Sequence, residues 1–184
     1  PQKLAEKLAH AKHHNTLPKV IIPVHLAGQS CAMEPIHALA QEYGIKIIED
    51  ASHCIGAQYQ DKPVGACTYS DITVFSFHPV KIVTTAEGGA AVTHCSKLAQ
   101  RLALFRSHGI TRDKNMMDED SVPDSHGQTP FPPWYYQQLA LGYNYRMTDL
   151  HAALGVSQML RLDSFIGSRQ RLASRYHEKL ADLP

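Results

Sequence analysis

The amino-acid sequence predicts an α/β fold, a mostly parallel sheet with flanking helices, and three observations carry that prediction. The runs "KVIIPVHLAG" (19–28), "IKIIEDA" (45–51) and "DITVFSF" (71–77) are of strand length and rich in β-branched residues. Between the first two lies "EPIHALAQEYG" (34–44), where Pro35 suits a first helical turn and Gly44 suits a stop. Strand, helix and strand at such short spacing is the signature of a βαβ unit.

The elements follow in order. In residues 2–14, Leu4, Leu8 and Ala11 share one helical face, and the stretch from Asn15 to Pro18 ends that helix. Residues 19–28 read as a buried strand interrupted by Pro23, and residues 45–51 as a second one that ends in two carboxylates, Glu49 and Asp50. Residues 52–70 lack helical periodicity and carry glycine and proline, so an irregular or hairpin-like connection is expected. The third strand, 71–77, precedes a fourth, "GGAAVTH" (88–94), which a short loop allows to pair antiparallel. A helix over 96–109 is expected to have Ser96 as N-cap and Gly109 as stop. Residues 111–135 are polar and proline-rich, with acids at Asp118, Glu119 and Asp120, a length that marks a functional or disordered loop. From Thr148 onward the pattern is strongly helical, as two helices or one helix bent at Gly167. The last helix runs to Pro184 with nothing after it to pack against, so the sequence reads as a piece of a larger protein.

Composition narrows the partners. A chain of 184 residues can bury one sizeable core, and a formal net charge of +1 gives no field for nucleic acid or an anionic membrane. No apolar run approaches the length of a membrane span. Cys31, Cys54, Cys67 and Cys95 form no C-x-x-C pair, and with no secretory signal they read as reduced thiols of a cytoplasmic protein. His53, Cys54, Cys67, His94 and Cys95 fit no usual zinc spacing, so no metal is expected.

The chemistry concentrates in "SFHPVKIVTTAEGG" (76–89), where an apolar strand runs through Pro79 into Lys81. In a parallel α/β sheet the ligand crevice lies beyond the carboxyl ends of the strands. Asp50 ends one strand and Lys81 follows another, so both are expected at the same edge. A carboxylate and a desolvated lysine there suit pyridoxal 5'-phosphate (PLP), with lysine bonding the aldehyde and the carboxylate holding the pyridine nitrogen protonated. The same two residues also read as ordinary loop charges or an ion pair. His25 and Gln29, just past the first strand, are candidates for a sugar site on that edge, and His78 has no assigned role. A backbone turn is expected at Glu87–Gly89.

"EDASHCIGA", "SFHPVKIVTTAEGGAAVT" and "GYNYRMTDLHAALG" together resemble the DegT/DnrJ/EryC1/StrS family of sugar aminotransferases, PLP enzymes of the aspartate aminotransferase fold type. "WYYQQLALGYNYRMTD" further resembles the branch that makes UDP-4-amino-4,6-dideoxy-N-acetyl-β-L-altrosamine, a precursor of pseudaminic acid. The resemblance implies part of the large domain of a fold-type-I PLP-dependent transferase, with residues 1–163 as a partial PLP-binding large domain and 164–184 as a helix leading toward a small domain.

Residue roles follow from the same resemblance. Lys81 is implied as the lysine that bonds the cofactor and as the base that moves the substrate proton. Asp50 is implied on the pyridine nitrogen, His53 against the ring or its phenolic oxygen, and Ser76 on the phosphate. Asn144 is implied on the phosphate of a neighbouring subunit, with Arg146 as an accompanying anion contact, which makes the expected assembly a homodimer. The implied reaction moves an amino group, from glutamate as donor, to C4 of a UDP-linked 4-keto-6-deoxy sugar. Family members also carry a glycine–hydroxyl turn that cradles the phosphate and an aromatic that stacks on the ring, and neither is found in this sequence. The competing reading is a catalytically inactive fragment, a scaffold or dimerisation module that keeps the fold without holding PLP.

Overall fold

The computed structural model describes residues 1–118 and 132–183. The central part of the 111–135 loop, with Glu119 and Asp120, therefore lies outside the described residues. The chain forms two compact units, residues 1–94 with 147–184, and residues 95–146.

The first unit is built on a four-stranded sheet of β1 (Val20–Ile21), β2 (Lys46–Asp50), β5 (Ile72–Ser76) and β6 (Gly89–Val92), in that order. β1 and β2 are parallel, β2 and β5 are parallel, and β6 returns antiparallel to β5. Helices α1 (Gln2–His13) and α2 (Met33–Tyr43) cover one face. Leu8, Met33, Ala40, Ile45 and Ile47 form the buried cluster there, each at most 5% exposed. That burial is the driving force for the layer, since removing apolar side chains from water stabilises the folded state. α2 ends at Gly44, whose φ of +67° is the left-handed cap that only glycine adopts without strain.

The connection over 52–70 contains a small hairpin, β3 (Gln58–Tyr59) with β4 (Lys62–Pro63). Its central residues, Gln60 and Asp61, both take positive φ, the hairpin turn that matches strand twist.

Three expectations are corrected. The run over 19–28 is not a buried strand. Only Val20–Ile21 form one, with a single further bridge at Val24, while Ile22, Val24 and Leu26 are 59%, 49% and 67% exposed. β1 is an edge strand, and with Pro23 supplying no N–H only Ile21, Pro23 and His25 turn inward, Ile21 against the core cluster. The helical C-terminus is two helices, the first of the two expected arrangements, and does not bend at Gly167. It comprises α4 (Asp149–Met159), capped by the Thr148 hydroxyl, and α5 (Leu162–Leu180), with the break at Leu160–Arg161. The reason lies in packing: a Cβ on Gly56 would sit 2.2 Å from Ile166 Cδ1 and 3.3 Å from Leu162 Cδ1, so two successive turns of α5 rest on that glycine. The helix must already be straight at Leu162 and stays so through Gly167.

The third correction falls in the second unit. α3 (Ser96–Phe105) has Cys95, with extended backbone, as its N-cap, and Ser96 is already helical. The helix stops before Gly109 because its last carbonyls are claimed elsewhere: Tyr143 N–H donates to Phe105 O at 2.7 Å and Tyr145 N–H to Arg106 O at 2.9 Å. β7 (Ile110–Thr111) and β8 (Gln137–Gln138) then pair antiparallel.

Candidate active site

β2 and β5 run parallel in a register that sets Asp50 beside Val74. Side chains alternate along a strand, so Asp50, Val74 and Ser76 share one face of the sheet. Ile47, Glu49 and Ala51 share the other, and all three are buried. Asp50 and Ser76 thus stand at the carboxyl ends of neighbouring strands, on the face opposite the α1–α2 layer.

Asp50 is held in place by its neighbours. Its backbone N–H donates to Pro23 O and its carbonyl accepts from His25 N–H, each at 3.0 Å. Its Oδ1 accepts from Ser52 N–H at 3.1 Å. Hydrogen bonding from Ser52 holds its carboxyl below the ordinary range, opposed by partial burial, with the charge of Lys81 adding to the lowering. Asp50 therefore stands as an ionised carboxylate at the carboxyl end of β2, with Lys81 near enough for its charge to act on it.

Lys81 is half-buried in the loop from Phe77 to Gly88, which closes on itself. Phe77 N–H donates to Gly88 O, Thr85 N–H donates to Phe77 O, and Lys81 N–H donates to His78 O. Val83 and Thr85, each 1% exposed, anchor that loop in the core. Ser76 Oγ accepts from His78 N–H at 3.5 Å, so His78 is part of the turn on which Lys81 sits. The turn expected at Glu87–Gly89 lies one residue earlier, as a bend at Ala86–Glu87 with Ala86 at φ +65° and Gly88 at φ +152°, and Gly89 begins β6.

His53 is half-buried, and its Nδ1 accepts from Ala27 N–H at 3.1 Å. It lines a cleft of about 650 Å³ together with Gly28, Gln58, Ile82, Ile166 and Arg169. Gln29 is exposed. His25 lines nothing, being 0% exposed. Its Nε2 lies 2.8 Å from Glu49 Oε2 and its Nδ1 accepts from Cys31 N–H at 3.2 Å.

Glu49 is the residue that sequence reasoning passed over. It accepts from His25, from Thr73 Oγ1 at 3.0 Å and from Ser70 Oγ. Burial raises its carboxyl, but the three side-chain hydrogen bonds outweigh that and hold it below its ordinary value. The signal was available, because Glu49 alternates with Ile47 and Ala51 on the inward side of a buried strand, and a buried carboxylate must find donors.

Asn144 and Arg146 belong to the second unit, where both are exposed. Asn144 bridges Ser107, and the flanking Tyr143 and Tyr145 rings stack at 4.9 Å. Among the described residues no three His, Cys, Asp or Glu side chains gather as a metal site, and no helix is long and apolar enough to cross a membrane. Cys54 is fully buried and its thiol is pushed up to about 11 by that burial, with Cys31 and Glu49 adding to it.

The donor set of the first unit fits PLP. An ionised strand-end carboxylate suits a protonated ring nitrogen, a primary amine in the adjoining loop suits an aldehyde, and a hydroxyl at the same edge suits a phosphate oxygen.

The family model described as the DegT/DnrJ/EryC1/StrS aminotransferase family matches residues 2–184. The uncharacterized protein MJ1066 of Methanocaldococcus jannaschii is 38% identical over 167 residues, which is 90% of this chain and 40% of that one. Among solved structures, Helicobacter pylori PseC, an aminotransferase involved in the biosynthesis of pseudoaminic acid, superposes with a TM-score of 0.80 at 32% identity, over 97% of this chain and 43% of its own. Spr1654 of Streptococcus pneumoniae in its PLP form gives a TM-score of 0.71 at 29% identity, over 89% of this chain and 42% of its own. The chain spans about two fifths of the length of these relatives.

Proposed function

The chain belongs to the DegT/DnrJ/EryC1/StrS aminotransferase family, and on that premise we propose that it is the central part of a PLP-dependent enzyme that aminates a nucleotide-linked keto sugar. Residues 1–163 contribute to a PLP-binding large domain, and 164–184 lead toward a small domain. The amino donor is glutamate, and the acceptor is C4 of a UDP-linked 4-keto-6-deoxy sugar. The similarity to PseC supports the pseudaminic acid branch of that chemistry. The observation that supports the reading is the placement of Asp50 and Ser76 on one face at the carboxyl ends of neighbouring parallel strands, with Lys81 in the loop that follows Ser76 and its charge acting on Asp50.

Each side chain has a task there. Bound PLP supplies the electron sink that stabilises negative charge at the substrate carbon. Asp50 keeps a proton on the ring nitrogen, and its ionised state at neutral pH is the condition for that. Ser76 donates its hydroxyl hydrogen to a phosphate oxygen. Lys81 would supply the primary amine that holds the aldehyde and, as a free amine, the base that takes a proton from the substrate carbon. His53 presents its ring beside the cofactor. Asn144, with Arg146, reaches the phosphate of a second copy in a homodimer.

The test is an absorbance spectrum of the purified protein after PLP is added and the excess removed, beside a Lys81→Ala variant. A yellow band in the wild type alone, fixed by borohydride and mapped to Lys81, is expected. No band in either protein would support the inactive scaffold, and equal bands in both would assign the label to surface lysines.

A further inference from the structure

Two imidazoles hold the loop between β1 and α2, and they hold it in the same way. His25 bridges the two ends of the 25–31 segment. Its ring Nδ1 accepts from Cys31 N–H at 3.2 Å, and its Nε2 lies 2.8 Å from Glu49 Oε2. An imidazole nitrogen that accepts from an amide carries no hydrogen, so the His25 proton is on Nε2 and is donated to Glu49. The middle of the same segment is tied to the candidate site, since Ala27 N–H donates to His53 Nδ1 at 3.1 Å. By the same rule the His53 proton sits on Nε2, which makes no hydrogen bond among the described residues. Ala27 takes φ +55°, a backbone geometry that persists only when its surroundings impose it. The backbone of His25 also donates to Asp50 O, and Cys54 Sγ donates to His25 O at 3.6 Å.

We propose that His25, clamped by Glu49, is a positioning residue that fixes the 25–31 loop so that Ala27 N–H locks His53 with its proton on Nε2, ready to donate toward the cofactor's phenolic oxygen. The last clause rests on the PLP reading, and the lock itself does not. Without an acceptor at position 49, a buried Nε2–H has no partner, the ring turns, Cys31 N–H is released and the loop loses its closure. Glu49→Leu does this. Glu49→Gln need not, because its amide can present oxygen to His25 while the Ser70 and Thr73 hydroxyls accept from its NH₂.

The experiment is long-range proton–nitrogen NMR of ¹⁵N-histidine-labelled protein, which reads each ring's tautomer, together with amide exchange. In the wild type, His25 and His53 are both expected with the proton on Nε2. In Glu49→Leu, His53 passes to a mixture of tautomers, and the Ala27 and Cys31 amides exchange about tenfold faster while Ala40 in the α2 core keeps its protection. Glu49→Gln restores both signatures. If Glu49→Leu does not fold, His25→Leu replaces it, since Glu49 then keeps its two hydroxyl donors.

A wild-type His25 or His53 protonated on Nδ1 overturns the proposal. So does a variant in which His53 keeps its tautomer, or one in which every amide including Ala40 accelerates equally, which is the mark of a purely structural role. Borohydride trapping of PLP at Lys81 is run in parallel. Its failure in the wild type sinks the cofactor reading, and the tautomers still decide the lock.

Discussion

Glu49 and Asp50 are consecutive in sequence and face opposite sides of one sheet. Glu49 is 5% exposed and takes three side-chain donors, whereas Asp50 shares a face with Val74 and Ser76 and feels the charge of Lys81. Two adjacent carboxylates therefore do separate work, one holding strands together and one facing the site.

Their substitutions separate accordingly. Asp50→Asn keeps an acceptor for Ser52, so urea stability is expected to stay within about 1 kcal/mol of wild type. Retention of PLP falls by about tenfold or more, because a charge-assisted bond to the ring nitrogen is lost. Glu49→Leu leaves His25, Ser70 and Thr73 donors without an acceptor and costs about 2–4 kcal/mol. Equal loss of stability in both variants would refute the division.

Acid sensitivity follows from three carboxylates. Burial raises Glu49, but hydrogen bonds from His25, Ser70 and Thr73 bring it below its ordinary 4.5. Ser52 does the same for Asp50, ordinarily 3.8. Burial raises Asp71, but Lys46 Nζ at 2.8 Å and Ile47 N–H at 2.9 Å lower it below 3.8. A carboxyl depressed in the folded state contributes stability that is fully present above its unfolded pKa and lost as pH falls through its folded pKa. Urea midpoints should hold above 4.5 and decline below it, through and beneath 3.8. Glu49→Gln should flatten the part of the decline that begins at the higher value. An unchanged decline would remove Glu49 as a source.

Most of the architecture was legible because it depends on local signals. Strand-length runs rich in β-branched residues marked 45–51 and 71–77, and Pro35 and Gly44 bracketed α2. The failures share a cause, since each was decided by a partner distant in sequence. Whether 19–28 is buried depends on what lies beyond β1, and the end of α3 is set by Tyr143 and Tyr145 some forty residues on. α5 starts at Leu162, the first of two turns that rest on Gly56, a contact with no local signal. For the site, Asp50 and Lys81 could be expected at one edge by counting along strands, whereas Ser76 came from the family resemblance. The His25–Glu49 pair could not be found by counting, because two polar side chains at opposite ends of a βαβ unit become partners only through the pairing that sets Val24 beside Asp50.

Glycine tolerance should follow space as well as φ. Gly44 has φ +67° with nothing near a built Cβ, so Gly44→Ala is expected to cost about 1 kcal/mol. At Gly109, with φ +70°, a Cβ would lie 1.9 Å from Ala140 O and 2.6 Å from Ala140 C. Backbone cannot swing aside as a side chain does, so Gly109→Ala should cost about 2–4 kcal/mol and disrupt β7–β8. Calorimetry of the two variants checks the order, and equal shifts in Tm would contradict it.

The shared-site role of Asn144 can be decided by mixing subunits. Asn144 and Arg146 are exposed beside the stacked Tyr143 and Tyr145, and an amide there can donate to a phosphate of a second copy. In a twofold dimer each site then takes Lys81 from one chain and Asn144 from the other. Lys81→Ala and Asn144→Ala homodimers should each fail to retain PLP. A dimer of one chain of each kind carries both defects in one site and neither in the other. Random reassociation of equal amounts should therefore restore roughly a quarter of the sites. Borohydride-fixed label on the Asn144→Ala chain, at Lys81, is the expected readout. Sedimentation as monomer with PLP present, or no recovery on mixing, would confine Asn144 to its own chain and end the shared-site reading.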